Sequence, residues 1–216
     1  MALNPADNAF EAIVRRASIK AATPSMIMDE ISPVIPYADK ISKTVKNTLV
    51  TIGNDLEAYK HLTIAINDLL TDFKACHERG NKVILVGNGG SSAICSHMAV
   101  DFSKNAGIRA VSFNDFPTLT CLSNDYGYEQ VFAKQIEYHA TKEDCLVCIS
   151  TGGKSPNILN AIKAFPGKRT YTFTGMKPDN PLRSMGSLNF FSPSRDYGIV
   201  EIAHLTLLHS LSPCLG

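Results

Sequence analysis

The sequence predicts an α/β fold, a parallel sheet with helices on both faces. Three observations carry this. Short apolar runs recur after residue 80: KVILV at Lys82–Val86, then Ala110–Phe113, Cys145–Ile149, Thr170–Phe173 and Leu188–Phe191. Segments of helical pattern separate them, at about residues 92–104, 128–139, 156–164 and 198–211. Strands that are apolar throughout, alternating with helices, are the pattern of βαβ units whose strands are buried on both faces. The chain has 216 residues, 44% apolar and 19% charged, which suits one large domain or a domain with an appendage.

The segment before residue 81 reads as helical, with no convincing strand. Ala6 to Ala21 has helical composition and stops before Pro24. Pro24, Pro33 and Pro36 break any long helix over 24–40. From Ile41 to about Arg79, Leu49, Ile52 and Leu56, then Leu62, Ile66, Leu69, Leu70 and Phe73, recur at helical spacing. They predict two helices with a break near Gly53 or His61, and Gly80 supplies a C-terminal stop.

Composition excludes several classes. The net charge is +1, from 21 basic and 20 acidic residues, so no basic excess points to nucleic acid. No apolar run of about 18 residues exists, so no membrane span is expected. The start, MALNPADNAF, lacks the pattern of a signal peptide, and a cytoplasmic location is the expectation. The six cysteines, Cys76, Cys95, Cys121, Cys145, Cys148 and Cys214, read as structural thiols. Cys145 and Cys148 form a CxxC inside the strand CLVCIS, where their side chains point to opposite faces.

Three signals carry chemistry. The first is Gly87-Asn88-Gly89-Gly90-Ser91-Ser92 between a strand and a helix. Such a turn brings backbone amides and a helix N-terminus to an anion; a plain tight turn is the other reading. It matches neither GxGxxG nor the Walker pattern. The second is Ser150-Thr151-Gly152-Gly153-Lys154-Ser155, again from strand to helix. Together the two loops make a phosphate cradle, to which Lys154 adds charge; ordinary capping serines are the alternative. The third lies on two helices. His97 and Asp101, four apart, share a face. Glu201 and His209 are eight apart on the last helix, about 80° around it, with His204 between them. These groups suit a divalent metal or proton transfer, and packed core histidines are the bland alternative.

VGNGGSSAICSHMAVDFSKN, LSNDYGYEQVFAKQIE, ISTGGKSPNILNAI and EIAHLTLLHSL, in this order, resemble the sugar isomerase (SIS) domain family, in particular its phosphoheptose isomerases. The resemblance covers about residues 45–211. It divides the chain into an extension, 1–40, and an SIS domain, 41–216, that includes its own N-terminal helices. It implies a flavodoxin-like three-layer sandwich with a five-stranded parallel sheet, and a homotetramer with active sites formed between subunits. It also implies interconversion of a ketose phosphate such as sedoheptulose 7-phosphate with its aldose, through an enediol, with zinc stabilising the developing oxyanion.

By the same resemblance, Asn88, Gly89, Gly90 and Ser91 form the first sugar-phosphate loop. Asn124 and Asp125 contact substrate, and Ser150, Thr151 and Ser155 bind phosphate. His97, Asp101, Glu201 and His209 are the metal and acid–base set. This chain departs from the family at four of these places. Asp101 stands for glutamate, Glu201 for glutamine, Gly152 for serine and Lys154 for asparagine. A non-catalytic SIS protein that senses a phosphosugar or binds a partner is the second reading, and the complete set of titratable groups favours the enzyme.

Overall fold

The structure is a computed structural model and describes residues 33–212. The helix expected over 6–21 and Cys214 lie outside the described residues. The chain divides into units 1–38 and 39–216, and the second holds the whole sheet. Of the first, only the start of helix α1, Val34–Lys46, is described. Among the described residues no helix is long and apolar enough to cross a membrane.

The elements that follow are β1 Leu49–Ile52, β2 Asp55–Lys60, α2 Leu62–Glu78, β3 Val83–Gly87, α3 Gly89–Lys104, β4 Ala110–Ser112 and α4 Phe116–Tyr126. A 3-10 turn, Tyr128–Gln130, leads into α5, Val131–His139. Then come β5 Cys145–Ile149, α6 Pro156–Ala164, β6 Arg169–Thr174, a 3-10 turn Pro181–Ser184, β7 Leu188–Phe191 and α7 Tyr197–His209.

The sheet has seven strands in the order β2-β1-β7-β6-β5-β3-β4. The five from β7 to β4 are parallel, as the sequence predicts. Their order is the flavodoxin-like doubly wound one, second-first-third-fourth-fifth. The five-stranded sheet is nonetheless a correction, because β1 and β2 extend it. β1 runs antiparallel to β7, pairing Leu49 with Phe191, and antiparallel to β2. Leu49, Ile52 and Leu56 are therefore strand residues, not helical ones. LVTI is rich in β-branched residues, and Gly53-Asn54 is a two-residue hairpin signal that the helical spacing concealed. Pairing with β7 decides the matter, since a local spacing cannot show a partner more than a hundred residues away.

Alternation along the strands builds two cores. Val83 and Leu85 of β3, with Cys145, Val147 and Ile149 of β5, pack with α2, α3 and α7. Ile84 and Val86, with Leu146 and Cys148, pack with α4, α5 and α6. Three layers result, and the two cysteines of the CxxC lie in different cores, which excludes a shared metal or a disulfide between them. Phe73 fixes α2 on the first core through edge contacts to Phe102 and Tyr171, with centroids 5.6 and 5.7 Å apart.

Helix α4 was not expected. Its start is marked by Asp115, which caps the Thr118 amide at 3.2 Å, and by Pro117 in the first turn. Cys121 on this helix is exposed, unlike Cys76, Cys95, Cys145 and Cys148, which are buried.

Candidate active site

β3 and β5 are neighbours, and the helices that follow them lie on opposite faces. The carboxyl ends of such a strand pair form the crevice where doubly wound folds bind ligands. Both glycine-rich loops leave the sheet there. They enclose a pocket of about 160 Å³ lined by Asn88, Ser91, Ser150, Thr151 and Ser155, with Glu201 and Tyr197 reaching over from α7. The helix N-termini at this pocket carry no side-chain cap on either Asn88 or Ser155, whereas Asp115 and Asp196 cap theirs. First-turn amides therefore remain for a ligand. Asn88 is held sideways instead, in a reciprocal amide pair with Asn157 at 2.9 and 2.8 Å, and it accepts from the Tyr128 hydroxyl at 3.1 Å. Ser150 and Ser155 hydroxyls are 3.5 Å apart, and the Thr151 hydroxyl is buried with no partner among the described residues. Buried hydroxyls without partners mark a place where an acceptor is missing. Gly153 has φ +63°, and a Cβ there would meet the Asn180 side chain at 1.9 Å, so this turn demands glycine.

Helices α3 and α7 run side by side in the same direction from this pocket. At the pocket end, the Glu201 carboxylate lies so close to Gly90 that a Cβ there would sit 2.6 Å from both its oxygens. Two turns further on, about 10–12 Å by helical rise, the histidines meet. His97 Nε2 and His209 Nε2 are 2.8 Å apart. Asp101 Oδ2 is 3.6 Å from His97 Nε2 and 3.6 Å from His209 Nδ1. Asn105 Nδ2 donates to Asp101 Oδ1 at 3.2 Å and orients it. Ligand atoms of the three residues all lie within 4.8 Å of one another. Two imidazoles and a carboxylate are a donor set that suits a divalent ion and leaves a coordination position free.

Glu201, expected as a fourth ligand, is outside this group. Eight residues of one helix, about 12 Å of rise, lie between it and His209, and in this conformation its side chain does not reach across to the other three. Its carboxylate belongs to the loop pocket.

The family model for the SIS domain matches residues 51–168. A phosphoheptose isomerase of Sodalis glossinidius is 34% identical over 184 residues, covering 81% of this chain and 93% of its own. One from Aliarcobacter butzleri is 32% identical over 177 residues, covering 78% and 88%. The chain belongs to the SIS domain family. Its fold agrees with a solved phosphoheptose isomerase structure from Francisella tularensis, at a TM-score of 0.71 and 24% identity over 90% of this chain and 98% of that one.

Other expected positions of this SIS domain fall as follows. Gly89 and Gly90 open α3. Asn124 and Asp125 sit in the last turn of α4, exposed, with Asn124 Nδ2 donating to Asp125 Oδ1 at 3.0 Å; neither lines the loop pocket. Lys154 and Gly152 do line it. A Cβ on Gly152 would meet the Tyr197 hydroxyl at an ordinary 3.8 Å, so the family serine would fit. His204 is a core residue. Its Nε2 pairs with the Thr174 carbonyl at 3.0 Å, and burial lowers its pKa to about 4. Asn157, Tyr128 and Tyr197 were not singled out from the sequence. A helix-start Asn just after Ser155-Pro156 is the one local signal that pointed to Asn157.

Proposed function

We propose that the chain is a phosphosugar aldose–ketose isomerase, acting on sedoheptulose 7-phosphate or a related ketose phosphate, with residues 41–216 as the SIS domain and 1–40 as an extension. The observation that carries this is the pair of parallel helices with an anion cradle at one end and an imidazole–carboxylate group two turns away. That separation suits an extended sugar whose phosphate is anchored far from the carbons that exchange a proton. The kinship with phosphoheptose isomerases supports the same reading.

In this reading Ser150, Thr151, Ser155 and the amides of Gly89, Gly90 and Ser91 hold the phosphate. Lys154 adds positive charge. His97, Asp101 and His209 hold a divalent ion, most suitably zinc. When bound, that ion supplies positive charge to the sugar oxygens as the enediol develops. Glu201 lies along the sugar's path and takes the proton from one carbon and returns it to the next. Asn124 and Asp125, exposed on α4, contact the sugar bound to a neighbouring copy in a homotetramer.

The deciding experiment incubates metal-replete protein with C5 to C8 ketose phosphates and reads aldose formation. A parallel run follows chelation. Aldose formation that falls on chelation and returns with zinc supports the whole reading. Phosphosugar binding without turnover would make the chain a sensor.

A further inference from the structure

A second pocket adjoins the cradle. It has a volume of about 440 Å³, and Gly152, Lys154 and Tyr197 line both. Its remaining wall is the 176–181 loop together with Arg195. Lys154, Lys177 and Arg195 face one carboxylate, Asp179, in a chain whose whole net charge is only +1. None of these three cationic side chains has a hydrogen-bond or ion-pair partner among the described residues. Met176 opens the loop at φ +62°, and it is the one non-glycine with positive φ among the described residues. Strain of this kind persists where the surroundings impose it, commonly at ligand sites.

Behind the loop lies a buried cation. Arg183 is 4% exposed, and its Nε and Nη2 have no partner. Its Nη1 donates to the Pro178 carbonyl at 2.7 Å, its backbone amide donates to Asn180 Oδ1 at 3.1 Å, and its guanidinium lies over Phe191 at 4.8 Å. No carboxylate compensates it among the described residues. A buried charge without a counter-ion projects a strong field, so the loop is favourable for an anion.

The position of this pocket limits what it holds. Tyr197 opens α7 and His209 ends it, about 18 Å apart by helical rise, with the cradle near the Tyr197 end. A phosphosugar anchored in the cradle runs toward the histidines. The second pocket is lined by no residue of α3 and by none of α7 beyond Tyr197, so it lies away from the histidine end. We infer that it is a second phosphate subsite, so that cradle and pocket together take a diphosphate group, free or as the linkage of a larger ligand. This rests on the reading of the cradle as a phosphate site. A diphosphate ligand then blocks the cradle and competes with the monophosphate substrate.

The test is calorimetric titration of the full-length protein with inorganic pyrophosphate and with orthophosphate, and competition of each against ketose phosphate turnover. Pyrophosphate is expected to bind at least about tenfold tighter, the scale of one charge-assisted contact. Lys177→Ala and Arg195→Ala should each close most of that gap while leaving orthophosphate affinity and the KM for the sugar phosphate within about twofold. Lys163→Ala, an equal loss of charge in the last turn of α6, should leave the gap intact. Equal affinity for the two anions, or a gap that survives both pocket variants, overturns the inference. So does a parallel loss of sugar phosphate binding in those variants. Ser155→Ala separates this from failure of the cradle itself: if it weakens neither anion, the cradle reading has failed. ADP compared with AMP tells a free diphosphate from an esterified one. A gap in that pair too means that the pocket accepts a linked diphosphate, and a gap in the inorganic pair alone means a free one.

Discussion

Ser150, Ser155 and Thr151 show what single residues contribute to this site. They lie in the turn from β5 to α6, where Ser155 directly precedes the helix, yet its side chain caps nothing and the Thr151 hydroxyl has no partner among the described residues. Ser155→Ala is expected to weaken phosphosugar binding at least about tenfold, since a hydrogen bond to a charged group contributes roughly 1.5–3 kcal/mol. Unchanged affinity in both Ser155→Ala and Ser150→Ala, measured by titration, removes the assignment. Glu201 is the expected ligand that lies apart from the other three, against Gly90. Glu201→Gln should leave metal stoichiometry intact, because the carboxylate stands apart from His97, Asp101 and His209. Turnover should fall at least about a hundredfold if it is the acid–base group. Elemental analysis and kcat read the two effects separately, and an unchanged kcat makes Glu201 a bystander. His204 gives a stability prediction. Its folded pKa of about 4 lies below the usual histidine value. Above the unfolded value, near 6.5, both states are neutral and no penalty exists. As pH falls from there toward 4, the unfolded state takes up the proton first, and stability drops by up to about 3 kcal/mol. Urea unfolding at stepped pH should show this slope, and His204→Leu should lack it whatever its absolute stability.

At the scale of elements, the loop after β5 depends on backbone shape as much as on hydroxyls. Gly153 combines a left-handed conformation with contact against Asn180, which also caps the Arg183 amide. Gly153→Ala should cost roughly 1–3 kcal/mol in unfolding free energy and weaken phosphate binding together with it. Thermal unfolding and phosphate titration of one sample check both. A stable variant with intact binding would show that the turn relaxes freely. The strands of this region were legible because each is a short run dominated by apolar, aromatic and β-branched residues. β5 is Cys145–Ile149 as expected, and β7 is Leu188–Phe191. The β1–β2 hairpin was not, because Leu49, Ile52 and Leu56 satisfy a helical spacing as well as a strand, and only pairing with β7 separates the two.

At the scale of the whole molecule, apolar side chains remain exposed on several elements. Val100 on α3 is 58% exposed, Ile202 on α7 38% and Phe116 at the start of α4 77%. Val100 and Ile202 stand on the two helices that carry the histidines. Exposed apolar surface beside a site is what subunit contacts cover. Self-association is therefore expected, as the tetramer of the proposed reading, by light scattering at micromolar concentration. A monomer would contradict it and leave a site shared between subunits incomplete.

The sequence alone determined the parallel core, the two glycine-rich loops at strand ends, and the shared face of His97 and Asp101. These follow from short-range rules: a buried strand is apolar throughout, an anion turn needs glycine, and residues four apart on a helix are neighbours. Only the tertiary structure decided that β1 joins β7, that His209 meets His97 while Glu201 meets Gly90, and that His204 is a core residue. The physical reason is common to all three. Each depends on how α7 and β7, late in the chain, pack against α3 and β1, much earlier, and no local periodicity encodes the distance between segments so far apart.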